Sequence, residues 1–236
     1  TLNSGITAGS IALTTSSSGD SITMGSTAGT LNGTDAAGSV VLTTNNGDIN
    51  SAGGALKVTA ANTFAASLSG GNVVMTGSTA GTAVDVAAKN SIDLNTAFIQ
   101  TTSKAVKLDA SGATSGVLTK VGTIDTNVGA TATVGVANTL IAGSTTGNIT
   151  TGAITASGGG TLNGAGGTVT VDAGGTITIP SITSKGTGSN AGGGVLIGTN
   201  AAFGALAVSG NIDTTGSLAG KAGAISLQGS GTGTIS

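Results

Sequence analysis

Apolar and polar residues alternate with a period of two along short stretches of this chain. Ser10-Ile11-Ala12-Leu13-Thr14, Ala55-Leu56-Lys57-Val58-Thr59, Lys104-Ala105-Val106-Lys107-Leu108-Asp109 and Thr168-Val169-Thr170-Val171-Asp172 turn Val, Ile or Leu to one side and Thr, Lys or Asp to the other. Side chains of a strand point alternately to its two faces, so each stretch predicts a half-buried β-strand. Between the stretches stand Gly, Asn-Gly and Ser-Gly steps such as Asn32-Gly33, Asn46-Gly47 and Asn163-Gly164, residues that accept the positive φ of tight turns. No segment has the period of a helix. No shift in composition divides residues 1–236, so one domain is expected.

A second, longer period sets the architecture. A Gly or Asn, a short polar step and an aliphatic recur with the aliphatic at Ile22, Ile49, Val74, Ile92, Ile124, Ile149, Ile177, Ile212 and Ile235, at a mean spacing near 27 residues. The hexapeptide Gly-Ser-Thr-Ala-Gly-Thr also occurs twice, at Gly25 and Gly77, 52 residues apart, with Met24 and Met75 just upstream. A unit of this length holding two or three short strands and sharp turns fits one coil of a parallel β-helix, whose strands stack about 4.8 Å apart and whose inward aliphatics form columns. The expected fold is therefore an all-β, right-handed parallel β-helix of roughly nine coils, about 27 residues each. An antiparallel β-sandwich is the competing architecture, but it wants a bulkier core than three Phe provide.

Composition narrows the function more than it defines it. Gly accounts for 44 of 236 residues and Pro for one, which excludes the Gly-every-third, Pro-rich pattern of collagen. A hydrophobic content of 38%, spread evenly, argues against disorder. Polar residues interrupt every apolar run well before the roughly 20 residues that a spanning helix needs, so no membrane span is expected. A net charge of −2, with only 7% charged residues, provides no basic patch for nucleic acid. The chain has no His, Cys, Trp or Tyr, all nine acids are Asp and all seven bases are Lys. Most of the side chains that perform chemistry are thus missing, and neither disulfides nor thiolate metal sites are possible.

The remaining candidates for chemistry are few. A polysaccharide lyase or glycosidase built on this fold needs clustered carboxylates, whereas the Asp residues are scattered singly; the nearest set is Asp85, Asp93 and Asp109 with Lys89, Lys104 and Lys107. No tandem Gly-Gly-x-Gly-x-Asp element for calcium occurs, and Ser157 to Gly160 and Ala191 to Gly194 lack the Lys-Ser/Thr of a phosphate loop. They read as tight corners. Thr pairs at Thr131/Thr133, Thr168/Thr170 and Thr176/Thr178 do not repeat at the coil period, so no flat Thr lattice for ice is expected. Phe64, Phe98 and Phe203 are expected to fill wider corners of the coil, with adhesive contacts as the alternative. No catalytic, cofactor or metal residue is assigned, and the chain is read as a non-enzyme.

The run Gly-Gly-Thr-Val-Thr-Val-Asp-Ala-Gly-Gly-Thr-Ile-Thr-Ile from Gly166 to Ile179, with similar runs from Gly38 to Asn50 and from Gly220 to Ser236, resembles the repeat region of filamentous haemagglutinin-type bacterial adhesins. The resemblance implies a right-handed parallel β-helix carried to the cell surface or medium as an adhesive or structural fibre. Secretion domains of that family carry Asn-Pro-Asn motifs. This chain's one Pro, Pro180, forms none, so no export route is read.

Both ends of the sequence read as ordinary repeat, without a polar cap. Unpaired strand edges template further strands, so Leu2, Ile6, Ile225, Leu227 and Ile235 are expected to form self-assembly edges, through continuing solenoid or end-to-end stacking of copies. The expected role is structural: a segment or subunit of an extracellular bacterial fibre, secreted or at the cell surface, with itself and surface glycans as partners. A carbohydrate-binding or carbohydrate-active β-helix is the alternative. A shallow groove with clustered Asp, Lys and Asn would favour it.

Overall fold

A computed structural model describes residues 1–236 except 28, 70, 76–77, 79–81, 128–134, 160–163, 200, 218–219 and 236, with the backbone alone described at 69 and 231–234. Thr131/Thr133, Asn163 and most of the second hexapeptide lie outside the described residues. The strands stack into three parallel sheets that form the faces of a β-solenoid, with no helix among the described residues. The first face runs over nine strands from Ile6–Ala8 to Ile225–Leu227 and the second over nine from Ile11–Thr14 to Gly229–Ile235. The third has eight, from Ile22–Gly25 to Ile212–Asp213.

The winding is slightly off the expected nine coils of 27 residues: successive turns lie about 28 residues apart, and the last has no third-face strand among the described residues. The repeat motif had marked two different corners. Ile22, Ile49, Val74, Ile124 and Ile212 belong to the third face, whereas Ile92, Ile149, Ile177 and Ile235 belong to the second. The interval from Val74 to Ile92 is therefore part of a turn. A second correction concerns Asn32-Gly33, which lies within the strand Leu31–Gly33 rather than in a turn. At Asn46-Gly47 a turn does form, with Asn46 taking the left-handed conformation (φ 56°), which its short polar side chain tolerates.

The core consists of three aliphatic columns. On the first face Ile6, Leu31, Val58, Val86, Leu108, Leu140, Val171, Ile197 and Leu227 are successive register partners. On the second, Ile11, Val40, Phe64, Ile92, Leu118, Ile149, Ile177, Leu206 and Ile235 follow one another in the same way. On the third the column is Ile22, Ile49, Val73, Ile99, Ile124, Ile154, Ile182 and Ile212. Members away from the ends are buried. Each such side chain contributes on the order of 1.5–3 kcal/mol of burial, and the parallel ladder satisfies the backbone between coils.

Two features interrupt the apolar interior. A second inner column of the first face runs Leu56, Val84, Val106, Asn138, Val169 and Val195, so a fully buried amide stands between two valines. At the exit from the third face, inward hydroxyls replace aliphatics. Thr101 Oγ1 donates to the carbonyl of Lys104 at 2.6 Å and Thr214 Oγ1 to that of Gly223 at 2.9 Å. These bonds fasten the corner where the chain turns back to the first face, a place where backbone carbonyls leave the ladder. Met24 and Met75, which precede the two hexapeptide copies, are both buried at this same exit.

Candidate functional site

Outside the columns, the repeated corner before the third face has a construction of its own. The residue just ahead of the inward aliphatic accepts the backbone N–H of its counterpart in the next coil. Ser21 Oγ accepts from Asp48 at 3.0 Å, Asp48 Oδ1 from Asn72 at 2.8 Å, and Asn72 Oδ1 from Phe98 at 3.1 Å. Asn148 repeats the device ahead of the second face, accepting from the N–H of Thr176 at 2.6 Å. Side chains at these positions are thus bonded to the neighbouring coil, which explains why polar residues with a short reach recur there.

The Asp and Lys set comes together only in part: Asp85, Lys107 and Asp109 share the first face, Lys89 borders the same hollow as Asp109, and Asp93 lies on the second face. Lys57, Asp85 and Lys107 are register partners on the outer side of the first face, alternating in sign along the rod. Lys107 also reaches Asp109, two residues along its own strand, at 3.5 Å. Asp93 lies on the second face, 3.5 Å from Lys120 of the next coil. The third face carries the shortest pair, Lys185 with Asp213 at 2.7 Å. Hydrogen bonding from Lys185, with help from the N–H and hydroxyl of Thr215, holds the Asp213 carboxyl below its ordinary value. Asp172 is buried on the first face, where Thr199 Oγ1 donates to it at 3.3 Å.

Asp93 lies on a different face from Asp85 and Asp109, while those two share the outer side of the first face in adjacent strands, where Asp85 faces Lys107 and Asp109 faces Ala87. No group of three or more potential ligands that could hold a metal ion occurs among the described residues. Among the described residues Thr meets Thr in register only in short rows, Thr139 with Thr170 on the first face, Thr14 with Thr43 and Thr150 with Thr178 on the second, and Thr155 with Thr183 on the third. Leu196 follows Thr170 and Ala207 follows Thr178, which ends the rows.

The residues expected at assembly edges fall at both ends. Ile6 lies in the first strand of the first face and Ile225 and Leu227 in its last, while Ile235 lies in the last strand of the second. Leu2 sits elsewhere: its N–H donates to Thr23 and its carbonyl accepts from Gly25, both at 2.8 Å, so it covers the first strand of the third face. Ile225 and Ile235 are 47% and 62% exposed.

Phe64 and Phe203 are fully buried in second-face strands, with Phe64 in register between Val40 and Ile92. Phe64 fills a face of the coil, whereas Phe203 opens its strand at the corner that follows Ile197, where a Cβ on Gly198 would meet its ring. Phe98 departs from the corner-filling expectation, with 48% of its surface exposed. Its position directly ahead of the inward Ile99 is the outward position held by Asp48 and Asn72 in the two preceding coils, a signal that strict alignment of coils would have given. No family model matches the chain, and neither a curated protein nor a solved structure matches it.

Proposed function

We propose that the chain is a structural, non-enzymatic segment or subunit of an extracellular bacterial fibre or adhesin. The observation that supports this most directly is the first-face column, in which nine aliphatics from Ile6 to Leu227 stay in register from one end to the other. Such a column makes a rod whose length, not its pockets, is its distinguishing property. The edges of the terminal strands are templates for further parallel strands, supplied by the same polypeptide or by another copy. The winding is read as right-handed, the hand that parallel crossovers favour. The resemblance in repeat style to filamentous haemagglutinin-type adhesins supports a location at the bacterial surface or in the medium, with itself and surface glycans as partners.

Electron microscopy of the purified material, taken together with its intact mass, tests this reading. Filaments with an axial repeat of about 4.8 Å, or rods belonging to a longer parent chain, are the expected results. Discrete globular particles would overturn it. Of the alternative, a carbohydrate-active β-helix, only the binding half has a specific observation in its favour: the exposed ring of Phe98 in a shallow groove lined by Asn72 and Asn95.

A further inference from the structure

The rod changes its cross-section between the coil of Thr63–Ser69 and that of Ser91–Asp93. The strand Thr63–Ser69 pairs with the preceding coil from Val40 with Phe64 out to Asn45 with Ser69. With the following coil it pairs only as far as Ala65 with Asp93, because the strand Ser91–Asp93 ends there and the chain turns inward at Leu94. Residues 66–69 are left as a ledge over a narrower coil. Two adjoining hollows open beneath it. One, of about 340 Å³, is bordered by Asn72, Asn95 and Phe98; the other, of about 220 Å³, by Ser67, Asp93, Asn95 and Lys120.

The lining is polar and aromatic, and its backbone is held firmly. Asn95, Thr96 and Lys120 all take positive φ, at 48°, 66° and 49°, a conformation that non-Gly residues adopt at a cost and that concentrates at functional sites. Asp93 Oδ1 accepts the N–H of Asn95 at 2.8 Å, and the carbonyl of Lys120 accepts that of Thr96 at 2.5 Å. Asn72 Oδ1 accepts the N–H of Phe98, which leaves its NH₂ group without a partner among the described residues. Exposure of Phe98 contrasts with the complete burial of Phe64 and Phe203. An aromatic ring in an outward position normally given to Asp or Asn gains nothing for the core.

We infer that this ledge is a binding site for a neutral oligosaccharide. A pyranose ring presents an apolar C–H face and a rim of hydroxyls. Phe98 offers a rigid apolar face for the first, and the amides of Asn72 and Asn95, the Asp93 carboxylate and the Lys120 ammonium offer donors and acceptors for the second. Asp93 and Lys120 neutralise each other at 3.5 Å, so the groove has no surplus charge for a polyanion. The two hollows share Asn95 and cross from the coil of Ser67 to that of Lys120, about 9.6 Å along the axis at two strand spacings. The site is independent of whether the rod polymerises.

The test is saturation-transfer NMR and calorimetry on the full chain with maltotetraose, cellotetraose and tetraacetylchitotetraose, each up to about 10 mM, well above the Kd expected of a weak single contact. At least one should receive saturation at its ring C–H protons. Phe98→Ala should weaken that binding at least tenfold, Phe98→Trp should keep it, and Asn95→Gly, which preserves the positive φ, should weaken it. Unchanged thermal melting of each variant keeps the comparison one of binding. The inference is overturned if none of the three sugars binds, if Phe98→Ala binds as well as the parent, if Phe98→Trp loses binding too, or if heparin binds and the neutral sugars do not.

Discussion

Asp48 Oδ1 accepts the backbone N–H of Asn72 at 2.8 Å, across the gap between one coil and the next. Ser21 below and Asn72 above make the same bond, so the corner before the third face is a ladder of side-chain acceptors added to the backbone ladder. Asp48→Ala strips the acceptor and strands the Asn72 N–H, and should lower stability by about 1–2 kcal/mol. Asp48→Asn keeps an oxygen there and should recover most of the loss. Urea unfolding followed by circular dichroism distinguishes the pair.

Gly47 and Gly71, just ahead of Asp48 and Asn72, stack too closely on the preceding coil for a Cβ. A Cβ on Gly71 would run into the carbonyl oxygen of Gly47, itself placed over that of Asp20. Neither glycine needs a positive φ; what each needs is the absence of a Cβ. Gly71→Ala should therefore cost about 1–3 kcal/mol through displaced backbone, and Gly71→Ser should be no better. Equal midpoints for variant and parent would contradict the stacking.

Burial of Asn138 between Val106 and Val169 leaves its Oδ1 without a partner, and its NH₂ group has only a long contact with Thr126 Oγ1 at 3.4 Å. An unsatisfied buried carbonyl costs on the order of 1–3 kcal/mol. Asn138→Val continues the aliphatic column and should stabilise the protein by about 1 kcal/mol or more. A lower urea midpoint for the variant would show that the amide is satisfied.

Two phenylalanines should respond in opposite ways. Phe64→Ala opens a void in the second-face column and should cost about 3–5 kcal/mol, concentrated in the coils it joins, since a solenoid coil contacts chiefly its neighbours. Phe98→Ala should change stability by less than about 0.5 kcal/mol, as expected of an exposed position. Hydrogen exchange resolved along the chain would show the first as local deprotection around Val40 and Ile92.

The Lys185–Asp213 pair gives a small pH dependence of known sign. The folded-state pKa of Asp213 lies below its unfolded value, so its contribution is fully present above the unfolded carboxylate range, about pH 4, and is lost as pH falls through the lower folded value. Both side chains are substantially exposed, 47% and 27%, which keeps the contribution to a few tenths of a kcal/mol and makes it sensitive to salt. The difference in urea midpoint between the parent and Asp213→Asn should therefore be present at pH 6 and shrink toward zero in strong acid. A difference that grows in acid would reverse the assignment.

Strand positions were legible wherever alternation was strict: Leu56–Ala60, Ala105–Asp109 and Val169–Asp172 coincide closely with the stretches read from sequence. All three lie on the first face, where two inward columns flank an outward row and so write a clean period of two; Ile11–Thr14 on the second face was as plain. The third face was harder to read. Several of its strands have only two residues, such as Ile99–Gln100 and Ile154–Thr155, and a single inward aliphatic leaves no period to detect. That is why aliphatics from two corners merge into one repeat in the sequence. The ledge at residues 66–69 was invisible for another reason: it arises from the unequal reach of two neighbouring strands, a property of register that no local pattern carries. Phe98 was misread because an aromatic in a Gly-rich, aliphatic chain looks like core until its place ahead of Ile99 is known.

The parallel stacking of the three faces also determines how the rod would respond to being pulled. Hydrogen bonds between coils run along the long axis, so tension applied at the ends loads them coil after coil in series. The weakest coil then gives way alone. Each coil that yields frees about 28 residues, a tether of roughly 90 Å when drawn out, in place of a rise of only about 4.8 Å. A chain built in this way lengthens in steps and absorbs work before its attachment is strained, and the ledge, where one strand outreaches its neighbour and loses part of its ladder, is where the first step should occur.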